Sequence, residues 1–137
     1  MKRRAKSPLE SNDDLIAPFL PMKIVEGIKE FDTVLKTSDE AVTQFKQFLS
    51  KSGGNNGKDN IHRCLKKILT NECAMKCSWK GLRNNFRMSN LYFIRIMKGE
   101  IILRYSIFTE CEFDSAIAEW LRFASQRNKR ENQAKDD

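Results

Sequence analysis

Long apolar runs are missing from this chain. The most apolar stretch, residues 91–102, is interrupted by Arg95, Lys98 and Glu100. No segment therefore reaches the roughly 18 to 20 apolar residues that a membrane-spanning helix needs. The residues after the first basic cluster are polar, whereas a secretory signal requires an apolar segment there. We expect an intracellular protein that has no membrane partner.

Histidine is nearly absent, and the sequence motifs of common enzymes are missing. Cys64 lies two residues from the single histidine, His62. On a helix, side chains at that spacing point about 200° apart, so the pair lacks the geometry of a nucleophile and its base. The chain has no Gly-x-Ser-x-Gly motif and no glycine-rich phosphate loop. We expect no enzymatic activity and no small-molecule substrate.

Cysteines are few, and their spacing matches no common metal site. Cys73 and Cys77 would share one helix face, and His62 and Cys64 are near in sequence, so zinc is the metal that this set would suit. However, the spacing lacks two matched Cys-x2–4-Cys pairs, and free cysteine is commonly buried in a core. In an intracellular chain the four cysteines are expected to be reduced. We predict no metal and no cofactor.

Basic residues are in excess and unevenly distributed. The 25 lysines and arginines outnumber the 18 acidic residues, which gives a net charge of +7. Residues 1–9 carry +4 and residues 61–104 carry +8, whereas residues 10–40 carry −5 and residues 105–120 carry −4. A chain with this balance favours polyanionic partners, either nucleic acid or acidic protein surfaces.

The spacing of apolar residues predicts an all-α fold, a single small domain of five to six helices over residues 21–127. A flexible basic and polar arm, residues 1–20, is expected before it, and a polar tail, residues 128–137, after it. Helices are expected over about 24–36, 39–50, 58–69, 71–77, 89–104 and 110–127. A strand is the alternative interpretation for residues 100–105 because of their β-branched side chains. Thr109 and Glu112 have the spacing of a capping box before the last helix.

Six basic residues form the candidate nucleic-acid-binding site. Three are expected on the solvent face of the third helix and three in and after the following turn: Arg63, Lys66, Lys67, Lys80, Arg83 and Arg87. Such cations bind phosphates through the release of counterions. The alternative interpretation is a solvated surface without a partner. A second cluster at the N-terminus is a nuclear import candidate, made of Lys2, Arg3, Arg4 and Lys6.

The two tryptophans have different expected roles. Trp120 lies on the apolar stripe of the last helix and is predicted to be a core residue. Trp79 lies at a turn beside Gly81. We favour packing of Trp79 against the core over stacking on a ligand, because aromatic burial contributes strongly to a small domain.

Three segments carry a resemblance to a known family. They are Leu20-Pro21-Met22-Lys23, then residues 65–72 leading to Ser78-Trp79-Lys80-Gly81, and Glu119-Trp120-Leu121-Arg122-Phe123-Ala124. In this order and spacing the chain resembles the domain-of-unknown-function 4806 family of animal proteins over about residues 20–125. Some members carry DNA-binding domains elsewhere in the chain. The resemblance therefore implies a nuclear helper or interaction domain, and it supplies no active-site motif.

The sequence leads to two functional hypotheses. The first is a non-enzymatic nuclear helical module that binds DNA or a chromatin-associated protein through a basic face. The alternative is a protein-interaction or self-association adapter, a homo-oligomer included, that makes no direct contact with nucleic acid. In the self-associating form, the acidic residues 10–40 of one copy would pair with the basic residues 61–104 of another.

Overall fold

The computed structural model describes residues 14–136, which form seven α-helices and one pair of short strands. The helices are α1 (Val25–Thr37), α2 (Asp39–Lys51), α3 (Gly57–Ile68), α4 (Asn71–Ala74), α5 (Tyr92–Arg104), α6 (Glu110–Arg122) and α7 (Ala124–Asp136). Between α4 and α5, β1 (Cys77–Ser78) pairs in parallel with β2 (Phe86–Arg87). The predicted all-α class is confirmed in its broad form, but the expected count of five to six helices is too low.

Helix α5 lies at the centre of the packing, against α1, α2, α3 and α6. Its Phe93 ring packs 5.6 Å from the ring of Phe31 on α1 and 6.2 Å from that of Phe45 on α2. These edge-on contacts add roughly 0.5–1.5 kcal/mol per pair beyond the burial of area. The alternative of a strand over residues 100–105 is wrong, because Met97 and Ile101 continue the helical stripe that Phe93 begins.

Most helices begin where local side chains cap them. The four capping residues each accept a hydrogen bond from the backbone amide three residues later: Ser38, Asn56, Thr70 and Thr109. The capping box at Thr109 and Glu112 is confirmed in both of its hydrogen bonds. Because each cap satisfies an amide that the helix leaves unpaired, it contributes about 1 kcal/mol.

The start of α5 is capped by a distant residue. Leu91, at its N-cap position, provides no side-chain hydrogen bond. Instead, the carboxylate of Asp32 on α1 accepts from the amides of Tyr92 at 3.1 Å and Phe93 at 2.8 Å. Asp32 is only 4% exposed. A negative charge is favourable at a helix N-terminus, so this contact ties α1 to α5.

The predicted flexible arm, residues 1–20, needs a correction at its end. Residues 14–20 pack against the helices, and Ile16 belongs to the buried core. The Phe19 ring lies 5.8 Å from that of Phe31, and the Leu15 amide donates to the side chain of Gln44 at 2.7 Å. The apolar residues in this segment therefore outweigh its turn-forming Pro18. The rest of the predicted arm, residues 1–13, lies outside the described residues.

The helix predicted over residues 110–127 is divided at Phe123. This residue has φ −94° and ψ 9°, and α7 begins at the next residue, buried Ala124. Helix α7 then continues through Asp136, across most of the predicted polar tail. A polar segment stays helical here because it packs against α4. The break involves neither glycine nor proline, so the sequence pattern did not indicate it.

We expect Asp32→Ala to destabilise the fold by about 1–3 kcal/mol, because two buried amides of α5 lose their acceptor. Urea unfolding followed by circular dichroism measures this change. Lys36→Ala is the matched control, since Lys36 is exposed and contacts the same carboxylate at 3.6 Å. It should cost less than about 0.5 kcal/mol. Equal losses in the two variants would contradict a dominant capping role for Asp32.

Candidate interaction site

An open groove of about 540 Å³ lies between the segment 75–85 and the α6–α7 junction. We call it the basic-rimmed groove, and its wall includes apolar side chains from both sides: Met75, Trp79, Leu82, Ala118 and Leu121. Leu82 is 65% exposed and Met75 is 42% exposed. Large apolar side chains that stay in water beside a concave surface are typical of a binding site.

Three cations line the same groove. Lys80 and Arg83 come from the turn after β1, and Arg122 comes from the last turn of α6. The described lining residues include no aspartate or glutamate. The carboxylates of α6 that form ion pairs bind cations elsewhere: Glu119 binds Lys58 at 3.0 Å, and Asp114 binds Lys98 at 2.9 Å. The groove therefore keeps a positive potential.

The turn that carries Leu82 and Arg83 has an unusual backbone. Gly81 has φ 77°, and a Cβ atom there would lie 2.9 Å from the Cβ of Arg87. Arg83 and Asn84 also have positive φ values, 58° and 64°. Residues other than glycine are uncommon in this left-handed region, arginine more so than asparagine, and such strain is concentrated at functional sites. The strained turn holds Leu82 and Arg83 out from the core at the edge of the groove.

The six predicted nucleic-acid-binding residues are all exposed, but the structure does not bring them together in one depression. Lys80 and Arg83 line the basic-rimmed groove, whereas Lys66 lines a second depression that also contains Glu72 and Glu131. Arg63 is paired with Asp59 at 3.2 Å. The remaining two, Lys67 on α3 and Arg87 on β2, line neither depression, and Arg87 donates to the hydroxyl of Ser89 at 2.7 Å.

Arg122 was missed by the sequence interpretation. Its position on α6, four residues after Ala118, was the available signal. That spacing predicts a shared helix face but does not show which residues that face contacts.

The import candidates Lys2, Arg3, Arg4 and Lys6 lie outside the described residues.

The second depression, of about 480 Å³, is lined by α3, α4 and α7. Arg127 lies over the Trp120 ring at 3.9 Å and donates from Nε to Asn71 at 2.9 Å, which ties α7 to α4. Asn71 donates in turn to Glu131 at 2.8 Å. His62 also faces this depression, and its Nε2 is buried without a hydrogen-bond partner among the described residues. The second depression is thus largely a junction between helices.

Three of the cysteines lie in the core. The Cys64 thiol donates to the Leu49 carbonyl at 3.9 Å, and the Cys77 thiol donates to the Cys73 carbonyl at 3.4 Å. Burial raises the pKa of Cys64, and the hydrogen bond with Cys73 raises that of Cys77, so both thiols stay protonated. Within residues 14–136, no three histidine, cysteine or acidic side chains come together as a metal site.

The tryptophans take the positions expected of them. Trp120 is buried at 6% exposure, which confirms its assignment to the core. Trp79 is half-buried and packs against the core, as predicted, but its remaining surface lines the basic-rimmed groove.

Across the part of the chain that the structure describes, no helix has the length and apolar character to cross a membrane.

Comparison with known proteins identifies one family. The model of the family described as a domain of unknown function (DUF4806) matches residues 18–114, most of the chain. The matched range includes the turn of the basic-rimmed groove but ends before the wall formed by Ala118, Leu121 and Arg122. Neither the curated proteins nor the solved structures contain a match.

We expect His62 to make the fold less stable in mild acid. Burial lowers the pKa of His62 below its ordinary value of 6.5, and the nearby positive charge of Lys58 acts in the same direction. The unfolded chain therefore takes up a proton at a higher pH than the folded chain does. Stability is fully present above about pH 6.5 and declines as the pH falls below it.

Thermal unfolding of the wild type and of His62→Gln between pH 7.5 and 5.5 tests this linkage. The melting temperature of the wild type should fall more steeply with acidification, because glutamine takes up no proton. Lys46→Gln, an exposed change on α2, is the control and should keep the wild-type slope. Parallel slopes for the wild type and His62→Gln would show that His62 is not responsible.

Proposed function

We propose that this chain, which belongs to the domain of unknown function (DUF4806) family, is a non-enzymatic interaction module. Its proposed binding site is the basic-rimmed groove, and its proposed partner is a protein. One observation carries the proposal: exposed Leu82 and Met75 lie in the same groove as Lys80, Arg83 and Arg122. An apolar floor with a charged rim is the usual anatomy of a protein-binding surface.

The apolar floor favours a protein over a nucleic acid. Phosphates bind through cations and hydrogen-bond donors, whereas the proposed site also exposes aliphatic side chains that a phosphate backbone does not cover. A protein partner would remove Leu82 and Met75 from water, at a gain of roughly 25 cal/mol per Å² of apolar area. The strained backbone at Arg83 and Asn84 supports the same site, since it presents side chains outward at a cost to the fold.

A nuclear, chromatin-associated setting is part of the proposal. It is supported by the basic cluster at Lys2, Arg3, Arg4 and Lys6, which has the composition of an import signal.

Direct binding of nucleic acid is the second candidate function. It is supported by Lys66 and Lys67, which are exposed on α3 and form no ion pair with any residue from 14 to 136.

Site-specific photo-crosslinking in cells tests the protein-binding proposal. A photoreactive benzoylphenylalanine at Leu82 should give discrete protein adducts, because that side chain would be covered by the partner. The same group at Leu103 is the matched control: Leu103 is 75% exposed, at the end of α5 and outside the groove. Equal adducts at the two positions would count against the groove.

A gel-shift assay at low and moderate salt tests the second candidate. If the α3 cations bind DNA or RNA, Lys66→Glu with Lys67→Glu should abolish a salt-dependent shift. Lys46→Glu with Lys51→Glu makes the same charge change on α2 and should reduce the shift much less. A wild-type protein that gives no shift at low salt removes nucleic-acid binding and leaves the protein-binding proposal standing.

A further inference from the structure

The floor of the basic-rimmed groove is suited to apolar side chains. Leu82 is 65% exposed and Met75 is 42% exposed, and the unburied surface of Trp79 lines the same groove. The volume of about 540 Å³ lies within the range of roughly 300–1,000 Å³ that is common for ligand sites. A cavity of this size can receive several side chains from one continuous segment.

The rim of the groove selects the charge of that segment. Lys80 and Arg83 stand on the turn, and Arg122 stands on the facing helix. Because the described lining has no carboxylate, a basic partner would meet three like charges. A segment that carries carboxylates would instead pair with them and approach faster through electrostatic steering.

The helical wall of the groove determines how the segment can lie. Ala118, Leu121, Arg122 and Ser125 follow one face across the α6–α7 junction, at spacings of three, four and seven residues. Ala118 and Ser125 are small, so a backbone can approach this wall closely. The opposite wall is the turn at residues 80–85. A single amphipathic helix laid between two such walls is an established mode of peptide recognition.

We infer that the basic-rimmed groove binds an acidic amphipathic segment of another protein, whose apolar side chains cover Leu82, Met75 and Trp79 while its carboxylates meet Lys80, Arg83 and Arg122. This inference rests on the proposed function and adds the chemistry of the partner. An amphipathic segment satisfies the floor and the rim together, whereas the phosphate backbone of a nucleic acid satisfies the rim alone.

Three labelled peptides and the full chain test this inference by fluorescence anisotropy. The first peptide has leucines at helical positions i, i+3, i+4 and i+7 and glutamates at most other positions. The second replaces every glutamate with glutamine, and the third replaces every leucine with serine. We expect the first to bind, the second to bind about tenfold more weakly, and the third to show no measurable binding.

Charge reversal in the protein provides the matched comparison. Lys80→Glu with Arg83→Glu should weaken binding of the first peptide at least about tenfold. Lys46→Glu with Lys51→Glu, exposed on α2, changes the net charge equally and should weaken it less than about threefold. Arg83→Gly is a second variant that removes one cation at a position where the left-handed backbone favours glycine, so loss of binding there does not arise from misfolding.

Several results would overturn the inference. Equal binding of the glutamate and glutamine peptides to the wild-type chain would show that the rim does not select charge. A DNA duplex that displaces the first peptide at a lower concentration than the unlabelled peptide would assign the groove to nucleic acid. Light scattering that shows a dimer, lost in Lys80→Glu with Arg83→Glu, would make a second copy of this chain the occupant.

The inference and the proposed function can fail separately. Discrete adducts at Leu82 in cells, combined with no binding of the acidic peptide, would keep the groove as a protein-binding site and reject its acidic partner. Absence of adducts at Leu82 together with absence of peptide binding would reject both.

Discussion

The carboxylate of Asp32 links the two halves of this fold, because it caps a helix that begins 60 residues later in the chain. Asp32 accepts from the first amides of α5, and α5 in turn packs against four other helices. The start of α5 also sets the position of the segment before it. Buried Met88 and Leu91 follow β2, and β2 pairs with β1, which packs on α6. The turn that edges the basic-rimmed groove is therefore held between α6 and the start of α5, which binds that buried carboxylate.

The distribution of ion pairs explains why the basic-rimmed groove stays positive beside an acidic helix. Segment charges alone suggest that the acidic residues 105–120 neutralise the basic residues 61–104. In the structure, the carboxylates of α6 that form ion pairs bind Lys58, which lies outside that segment, and Lys98, which does not line the groove. The groove meets a different face of α6, with Ala118, Leu121 and Arg122. One helix thus holds its neighbours with carboxylates and presents a cationic, apolar surface to a proposed partner.

Sequence patterns identified many parts of the candidate site without their arrangement. Lys80 and Arg83 were predicted as binding residues, and Trp79 was predicted at a turn against the core. The concentration of positive charge grouped them with Lys66 and Lys67 in one basic face. Net charge along the chain does not indicate which depression a side chain lines, so this grouping did not survive in the structure. Leu82 and Arg122 were not selected. Leu82 is exposed through positive φ values in the turn, and Arg122 reaches the groove because α6 packs against β1.

The sequence by itself determined the helical class, most helix starts and the core residues of each amphipathic helix. These features depend on interactions within three or four residues, namely apolar spacing and side-chain caps. Tertiary structure decided the rest. Phe31 and Asp32 are neighbours on α1, and the fold buries both because α5 supplies amides for the carboxylate. The break at Phe123, the helical C-terminal segment and the basic-rimmed groove all require contacts between residues distant in sequence, which no local pattern contains.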